Sequence, residues 1–229
     1  MTAAGREIPI LKVLVLAGIV CGATVAVVHE VTTPIIEKNR VEARATAARG
    51  VIPGAETVRA FAPSADGGGF AQVAPNTTGE DVVLAGYDAE GQLVGLAIPA
   101  SAMGYQDVVR CLFGYDPHTE TIVGLRVLES RETPGLGDRV ETDPAYRANF
   151  ESLPVPVEGD ALKHGIEIVA PGQKTEPWHV DTISGATITS RAVAKMIAAA
   201  AASRVPELQT HLADFNDPGP VPGAEEVSR

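Results

Sequence analysis

The longest apolar run in the chain lies at its beginning. From Ile8 to Val28 the positions are almost wholly hydrophobic, broken only by Lys12 and by small residues such as Gly18, Gly22 and Thr24. About 20 such residues are enough to cross a bilayer as a helix. Lys12 lies near the entry end, where its stem can snorkel to the headgroups, and Gly18 with Gly22 would let a second helix approach closely. A secretory signal is the competing account, with Arg6 as its charged region and Cys21-Gly22-Ala23 as a weak cleavage site. The apolar run continues past that site, which favours retention.

Beyond His29 the pattern changes to alternating charged and small residues up to Arg49, the mark of a helical stalk. Pro34 is expected to kink or restart it, and Gly50 with Pro53-Gly54 to stop it. Phe61 to Pro75, rich in Ala, Gly and Pro, reads as a surface loop or linker. An internal echo follows. Gly86-Tyr87-Asp88 leads to Leu93-Val94-Gly95-Leu96, and Gly114-Tyr115-Asp116 leads to Ile122-Val123-Gly124-Leu125. Each copy has the form of a β-hairpin, so a small antiparallel sheet is expected.

Further on, Asp143 and Pro144 are placed to cap and open a short helix to Phe150. Leu153–Val157 and Ile166–Val169 read as strands or extended connections limited by nearby prolines, and Trp178 is expected in the core. Arg191 to Ser203 is rich in strong helix formers, so a helix begins close to Thr187. A second one is expected from Pro206 to Phe215. The fold class is therefore α+β. The division is 1–29 as cytoplasmic tail and transmembrane helix, 30–60 as helical stalk and connection, 61–215 as the main domain, and 216–229 as a disordered acidic tail.

Charge and cysteine content narrow the function. A net charge of -11 with no basic patch argues against a nucleic-acid partner. Two cysteines, Cys21 and Cys111, exclude a disulfide framework and a four-cysteine iron–sulfur cluster. The five histidines are scattered without metal-ligand spacing, and no Ser-His-Asp arrangement stands out. A self-sufficient hydrolase or kinase is disfavoured, and no metal site is expected.

The candidate chemistry sits at the start of the helix near Thr187. Asp181-Thr182-Ile183-Ser184-Gly185-Ala186-Thr187 places hydroxyls and small residues where backbone N–H groups lack partners and the helix dipole is positive, a setting that stabilises a phosphate. Taken alone, Ser and Thr before a helix are most often N-caps. Upstream, Glu132-Thr133-Pro134-Gly135-Leu136-Gly137 is a loop whose glycines permit close approach to a flat ring, with Pro134 and Leu136 as apolar cover. Tyr105, between the two hairpins, is a further pocket candidate.

The pair of segments resembles the two signatures of the FMN-binding domain family. Asp181-x-x-Ser184-Gly185-Ala186-Thr187 is similar to its flavinylation motif, and Glu132 to Gly137 to its second signature. The order, the apolar first segment and the size most resemble the G subunits of Rnf-type electron-transport complexes. The C subunits of sodium-translocating NADH:quinone oxidoreductases are close relatives.

The resemblance implies FMN joined through its phosphate to Thr187 by a separate flavin transferase, with Asp181 positioning the motif or serving attachment. The cofactor-binding set is then Tyr105, Glu132, Thr133, Pro134, Gly135, Leu136, Gly137, Asp181, Ser184, Gly185, Ala186 and Thr187. It implies an electron-carrying flavoprotein subunit of an ion-translocating ferredoxin:NAD oxidoreductase rather than a complete catalyst. The other subunits and membrane lipid would be its partners. The chain would be single-pass in a bacterial inner membrane with its domain on the periplasmic side. The positive-inside count does not decide the orientation. A membrane-anchored binding or assembly module without cofactor stays open, with Ser184–Thr187 as a helix cap only.

Overall fold

The computed structural model describes residues 10–64 and 67–216, without the side chains of Ile10 and Leu11. The expectations for the segment before residue 10 and for the tail after Asn216 lie outside the described residues. The chain divides into two units, one up to Glu42 and one beginning at Ala43.

The first unit is helix throughout its described part. Helix α1 spans Ile10–Val51 and holds a window of mean hydropathy 2.1, none of it buried. By length and composition it can cross a membrane. The expected restart at Pro34 does not occur, since the helix runs through it, and the helix ends at Val51, within the predicted stop from Gly50 to Gly54. One proline removes one hydrogen bond, and the helix continues on both sides of the loss.

The second unit is built on a seven-stranded sheet. Its strands are β1 (Thr57–Pro63), β2 (Phe70–Val73), β3 (Val83–Tyr87), β4 (Leu93–Met103), β5 (Val108–Asp116), β6 (Thr121–Glu129) and β7 (Leu153–Pro154), in the order β2-β1-β3-β4-β5-β6-β7. Every pairing is antiparallel. The two hairpins read from the echo are β3–β4 and β5–β6.

The stretch from Phe61 to Pro75, expected as a loop, is instead the β1–β2 hairpin, and the expected domain boundary at 61 falls inside β1. Its composition conceals the reason. Phe61 and Phe70 are both buried, with ring centroids 4.9 Å and 5.2 Å from that of Phe215. Two aromatic anchors outweigh the turn-forming residues between them.

Both faces of the sheet are covered. The C-terminal turns of α1 from Ala43, with Ala47, Ala48, Val51 and Ile52, pack on the face presented by Ala60, Leu84, Ala97 and Leu112. Gly86 pairs with Gly95 and Gly114 with Gly124, so the echoed glycines form a flat band across four strands. Val51 and Ile52 lie directly on it, and a Cβ at Gly114 would run into the carbonyl of Val51. The repeat is thus a seat for a helix end.

The opposite face carries the larger core, including Phe61, Tyr87, Phe113, Tyr115 and Ile122, under helix α4 (Thr187–Thr210) and the short α5 (Ala213–Asn216). Tyr87 and Tyr115 donate their hydroxyls to the Phe215 carbonyl and the Gln209 side chain, at 2.8 and 3.1 Å. The expected restart at Pro206 is also absent, since α4 runs through it. Val205, Pro206 and Leu208 are buried, and burial of this kind, roughly 1.5–3 kcal/mol per large apolar side chain, offsets what an internal proline costs.

Between β6 and α4 lie short elements: α2 (Arg139–Thr142), α3 (Pro144–Ala148), β8 (Val157–Glu158), β9 (Ala161–Leu162), β10 (Glu167–Val169) and β11 (His179–Asp181). Strands β8 and β9 pair antiparallel, β10 and β11 parallel. Asp143 caps α3 as its sequence predicts, accepting from the backbone N–H groups of Ala145 and Tyr146. Trp178 is half-buried rather than in the core, its ring 4.5 Å from that of His164.

Candidate functional site

Strand β11 delivers the chain into the motif, and helix α4 carries it away. In between, Gly185 takes φ +82, a left-handed conformation that costs a residue with a side chain about 1–2 kcal/mol. The turn is pinned at several atoms. The Ile183 carbonyl accepts from Ala186 N at 3.1 Å and from the Thr187 hydroxyl at 3.2 Å. The Ile183 N–H donates to Ser190 Oγ at 3.0 Å. Thr187 is the first residue of α4 and is exposed, with its hydroxyl donating back to the chain.

The N-cap of α4 is Ala186, and no side chain caps the helix. The hydroxyls of Ser184 and Thr187 do not do the work that a plain capping role requires. Asp181 closes the loop before the motif, accepting from the N–H groups of Gln173 and Lys174 at 3.0 and 3.1 Å, while its own N–H donates to Asn149 Oδ1 at 3.2 Å.

The second loop meets the first through Glu132. Glu132 is 7% exposed. Oε1 accepts from Gln106 N at 2.9 Å and Asp107 N at 3.3 Å, and Oε2 from the Thr189 hydroxyl at 2.8 Å. One side chain thus joins the 104–107 turn, the 132–137 loop and the first turn of α4. Burial alone would raise its pKa. The hydrogen bonds from Gln106, Thr189, Asp107 and Tyr105 outweigh that and hold it below the usual carboxylate range.

Gly104 and Gly137 both abut this carboxylate, and a Cβ at either would overlap it. The absence of a side chain at Gly137 lets the loop backbone lie against Glu132. Gly135 takes φ +77 with open space around it. Thr133 donates to the Gln106 side chain at 2.9 Å, tying the loop to the turn a second time.

Around this junction the structure leaves apolar side chains uncovered. Tyr105 is 71% exposed, Leu136 53% and Ile188 60%. They come from the three segments that Glu132 joins; Tyr105 and Leu136 are among the sequence-predicted residues, and Ile188 is not. A cleft of about 210 Å³ beside the motif is lined by Arg139, Asp143, Tyr146, Asn149, Gly172 and Ser184, among others.

Arg139 is the site residue that sequence reasoning missed. It donates to the Ser184 carbonyl and to Asp143 Oδ2, each at 2.7 Å. Only its place two residues after Gly137 hints at this. Tyr146 was equally hidden, and its hydroxyl donates to the Ser190 carbonyl at 2.8 Å.

The chain is 38% identical over 117 residues to the G subunit of an ion-translocating oxidoreductase complex from Methanosarcina acetivorans, covering 50% of this chain and 55% of that one. It is 38% identical over 105 residues to the protein of the same name from Pectobacterium atrosepticum, covering 45% and 46%. The chain thus spans about half the length of these relatives. The crystal structure of the C subunit of a sodium-translocating NADH-quinone reductase from Parabacteroides distasonis has the same fold, with TM-score 0.56 and 18% identity over 80% of this chain and 96% of that one. Residues 104–202, which contain both motifs and the Glu132 junction between them, match the FMN-binding domain family.

Proposed function

We propose that this chain is an electron-carrying subunit of a membrane-bound, ion-translocating ferredoxin:NAD oxidoreductase, holding FMN through a phosphoester on Thr187. The observation that carries the reading is the Thr187 hydroxyl itself: exposed, at the positive end of a 24-residue helix, beside a glycine without a side chain. A phosphodiester there faces the unpaired N–H groups of the first turn.

The surroundings fit the rest of the group. Tyr105, Leu136 and Ile188 offer exposed apolar surface for a flat heterocycle, and the 132–137 loop offers backbone groups to its polar edge. When bound, FMN supplies one- and two-electron chemistry; the protein supplies binding, orientation and electrostatics. Asp181 and Glu132 act as positioning residues. Glu132 keeps a negative charge fixed beneath the site.

Attachment is a group transfer with no change of oxidation state. The Thr187 Oγ–phosphorus bond forms as the bond from that phosphorus to the adenylate of FAD breaks. The hydroxyl proton goes to a base of the flavin transferase, and AMP leaves with the electron pair. Magnesium on the transferase would serve the leaving phosphate.

The relatives named as parts of a complex favour a multi-subunit assembly in which other subunits and lipid surround α1, with the domain on the periplasmic side of an inner membrane. A reporter fused after Arg229 tests the orientation, and cytoplasmic activity would reverse it. A second reading, the C subunit of a quinone reductase, draws on the shared fold and is separated by which proteins co-purify.

The direct test is mass spectrometry of the full chain made with and without a flavin transferase. The peptide containing Thr187 gains one FMN less water in the first case, and Thr187→Ala abolishes the gain while leaving the melting temperature nearly unchanged. An unmodified peptide, or flavin retained by the alanine variant, would reject the site.

A further inference from the structure

We propose that Arg139 is the positioning residue for flavin attachment. Its guanidinium bridges the Ser184 carbonyl and the Asp143 carboxylate and so holds the Ser184–Thr187 turn in the shape that is esterified. The proposal rests on the reading of Thr187 given above.

Two struts hold the motif in the structure, and they have different consequences. The first is buried. Ser190, fully buried, takes the Ile183 N–H on its hydroxyl, and its carbonyl takes the Tyr146 hydroxyl. Breaking it would leave buried polar groups unpaired and would cost the fold.

The second strut is Arg139, at the solvent side. One nitrogen reaches Ser184 O and the other Asp143 Oδ2 at equal distances of 2.7 Å. Asp143 is itself fixed, because its second oxygen caps α3 at Ala145 and Tyr146. Its carboxyl is held below the ordinary range first by the bond from Tyr146 N, against some burial, and then by Arg139. A rigid donor fork thus reaches from an anchored carboxylate to the carbonyl immediately before the left-handed Gly185. Nη1 comes within 3.8 Å of where a Cβ on Gly185 would lie.

Ser184 is exposed, so its carbonyl can be solvated if Arg139 is removed. Loss of the strut therefore leaves stability almost untouched and frees the turn to leave its pinned geometry. A misplacement of about 1 Å at a reacting group is enough to cost on the order of 100-fold in rate. Lysine keeps the charge but not the planar fork, and one ammonium does not reproduce the two-ended bridge.

The test uses full-length protein in detergent with the transferase, FAD and magnesium. Flavinylation rates are measured against protein concentration for wild type, R139Q, R139K and R191Q. Arg191 lies one turn beyond Thr187 on α4 and is exposed, so R191Q removes a nearby charge without touching the strut. Hydrogen exchange of peptides covering 183–187 is followed in the unloaded proteins.

R139Q and R139K are both expected to lose about tenfold or more in kcat/KM, at least about 1.4 kcal/mol. Both should exchange faster in that peptide at an unchanged melting temperature, while R191Q stays like wild type. Wild-type rates in R139Q or R139K, unaltered exchange, or an equal loss in R191Q would overturn the proposal. Failure of the wild type to accept flavin at Thr187 would instead reject the reading on which the proposal rests.

Discussion

Replacing Glu132 by glutamine tests whether the site is held together as described, because the two side chains share a shape and differ in charge. Glutamine keeps one acceptor oxygen for the N–H groups of Gln106 and Asp107 and turns an amide toward Thr189, whose hydroxyl can rotate to accept. Two backbone bonds, at 2.9 and 3.3 Å, lose their charged acceptor. A hydrogen bond to a charged group contributes about 1.5–3 kcal/mol and a neutral one about 0.5–1.5, so the pair loses roughly 2 kcal/mol. Glutamine escapes the burial cost of a carboxylate, which brings the net loss to about 1–2 kcal/mol.

For a domain of this size that lowers the melting temperature by roughly 2–8 °C. The sign of the pH dependence follows from the depressed pKa of Glu132. Its stabilisation is fully present above the unfolded value, about 4.3, and is lost as pH falls through the lower folded value. The gap between wild type and E132Q should be full near neutral pH and close in acid. Fluorescence of Trp178, the single tryptophan, reports the melt. A gap under about 1 °C at neutral pH, or one that persists unchanged into strong acid, would refute the account of Glu132 as an ionised junction.

Two other perturbations probe the scaffold. Gly114→Ala places a Cβ against the backbone carbonyl of Val51 and should cost about 2–3 kcal/mol in chemical denaturation; a neutral effect would mean that α1 does not end on the glycine band. Cys111 is buried, and burial pushes its thiol up to about 12. It should resist alkylation in the native state at mildly alkaline pH and react on unfolding; labelling at the rate of a free thiol would contradict its place in the core.

What the chain discloses in advance depends on how local the cause is. The start of α4 is legible because helix formers follow Thr187 in an unbroken run, and the cap on α3 is legible because Asp143 and Pro144 do their work on adjacent backbone. The hairpins show themselves through the Gly-Tyr-Asp echo. The β1–β2 hairpin is concealed because Phe61 and Phe70 are held by Phe215, which lies far along the chain on α5. Pro206 misleads for the same reason: its local penalty is visible, and the burial that offsets it is not.

The site follows the same division and adds a physical consequence. Thr187, Gly185 and the 132–137 loop are recognisable as motifs, yet what joins them is a set of bonds across 45 to 57 residues of sequence: Arg139 to Ser184, and Glu132 to Thr189. These bonds divide the labour between stability and chemistry. Glu132 is buried and ties three segments, so its removal must be felt by the whole fold. Arg139 is more than a third exposed and ties the Ser184 carbonyl to the Asp143 carboxylate, so its removal is expected to be felt at the turn rather than by the whole fold. Under the proposed attachment of FMN by a separate transferase, this division has a use: the body of the site would be rigid before the flavin arrives, and the turn carrying Thr187 would stay accessible to a second protein. An exposed strut holds that turn in place without enclosing it.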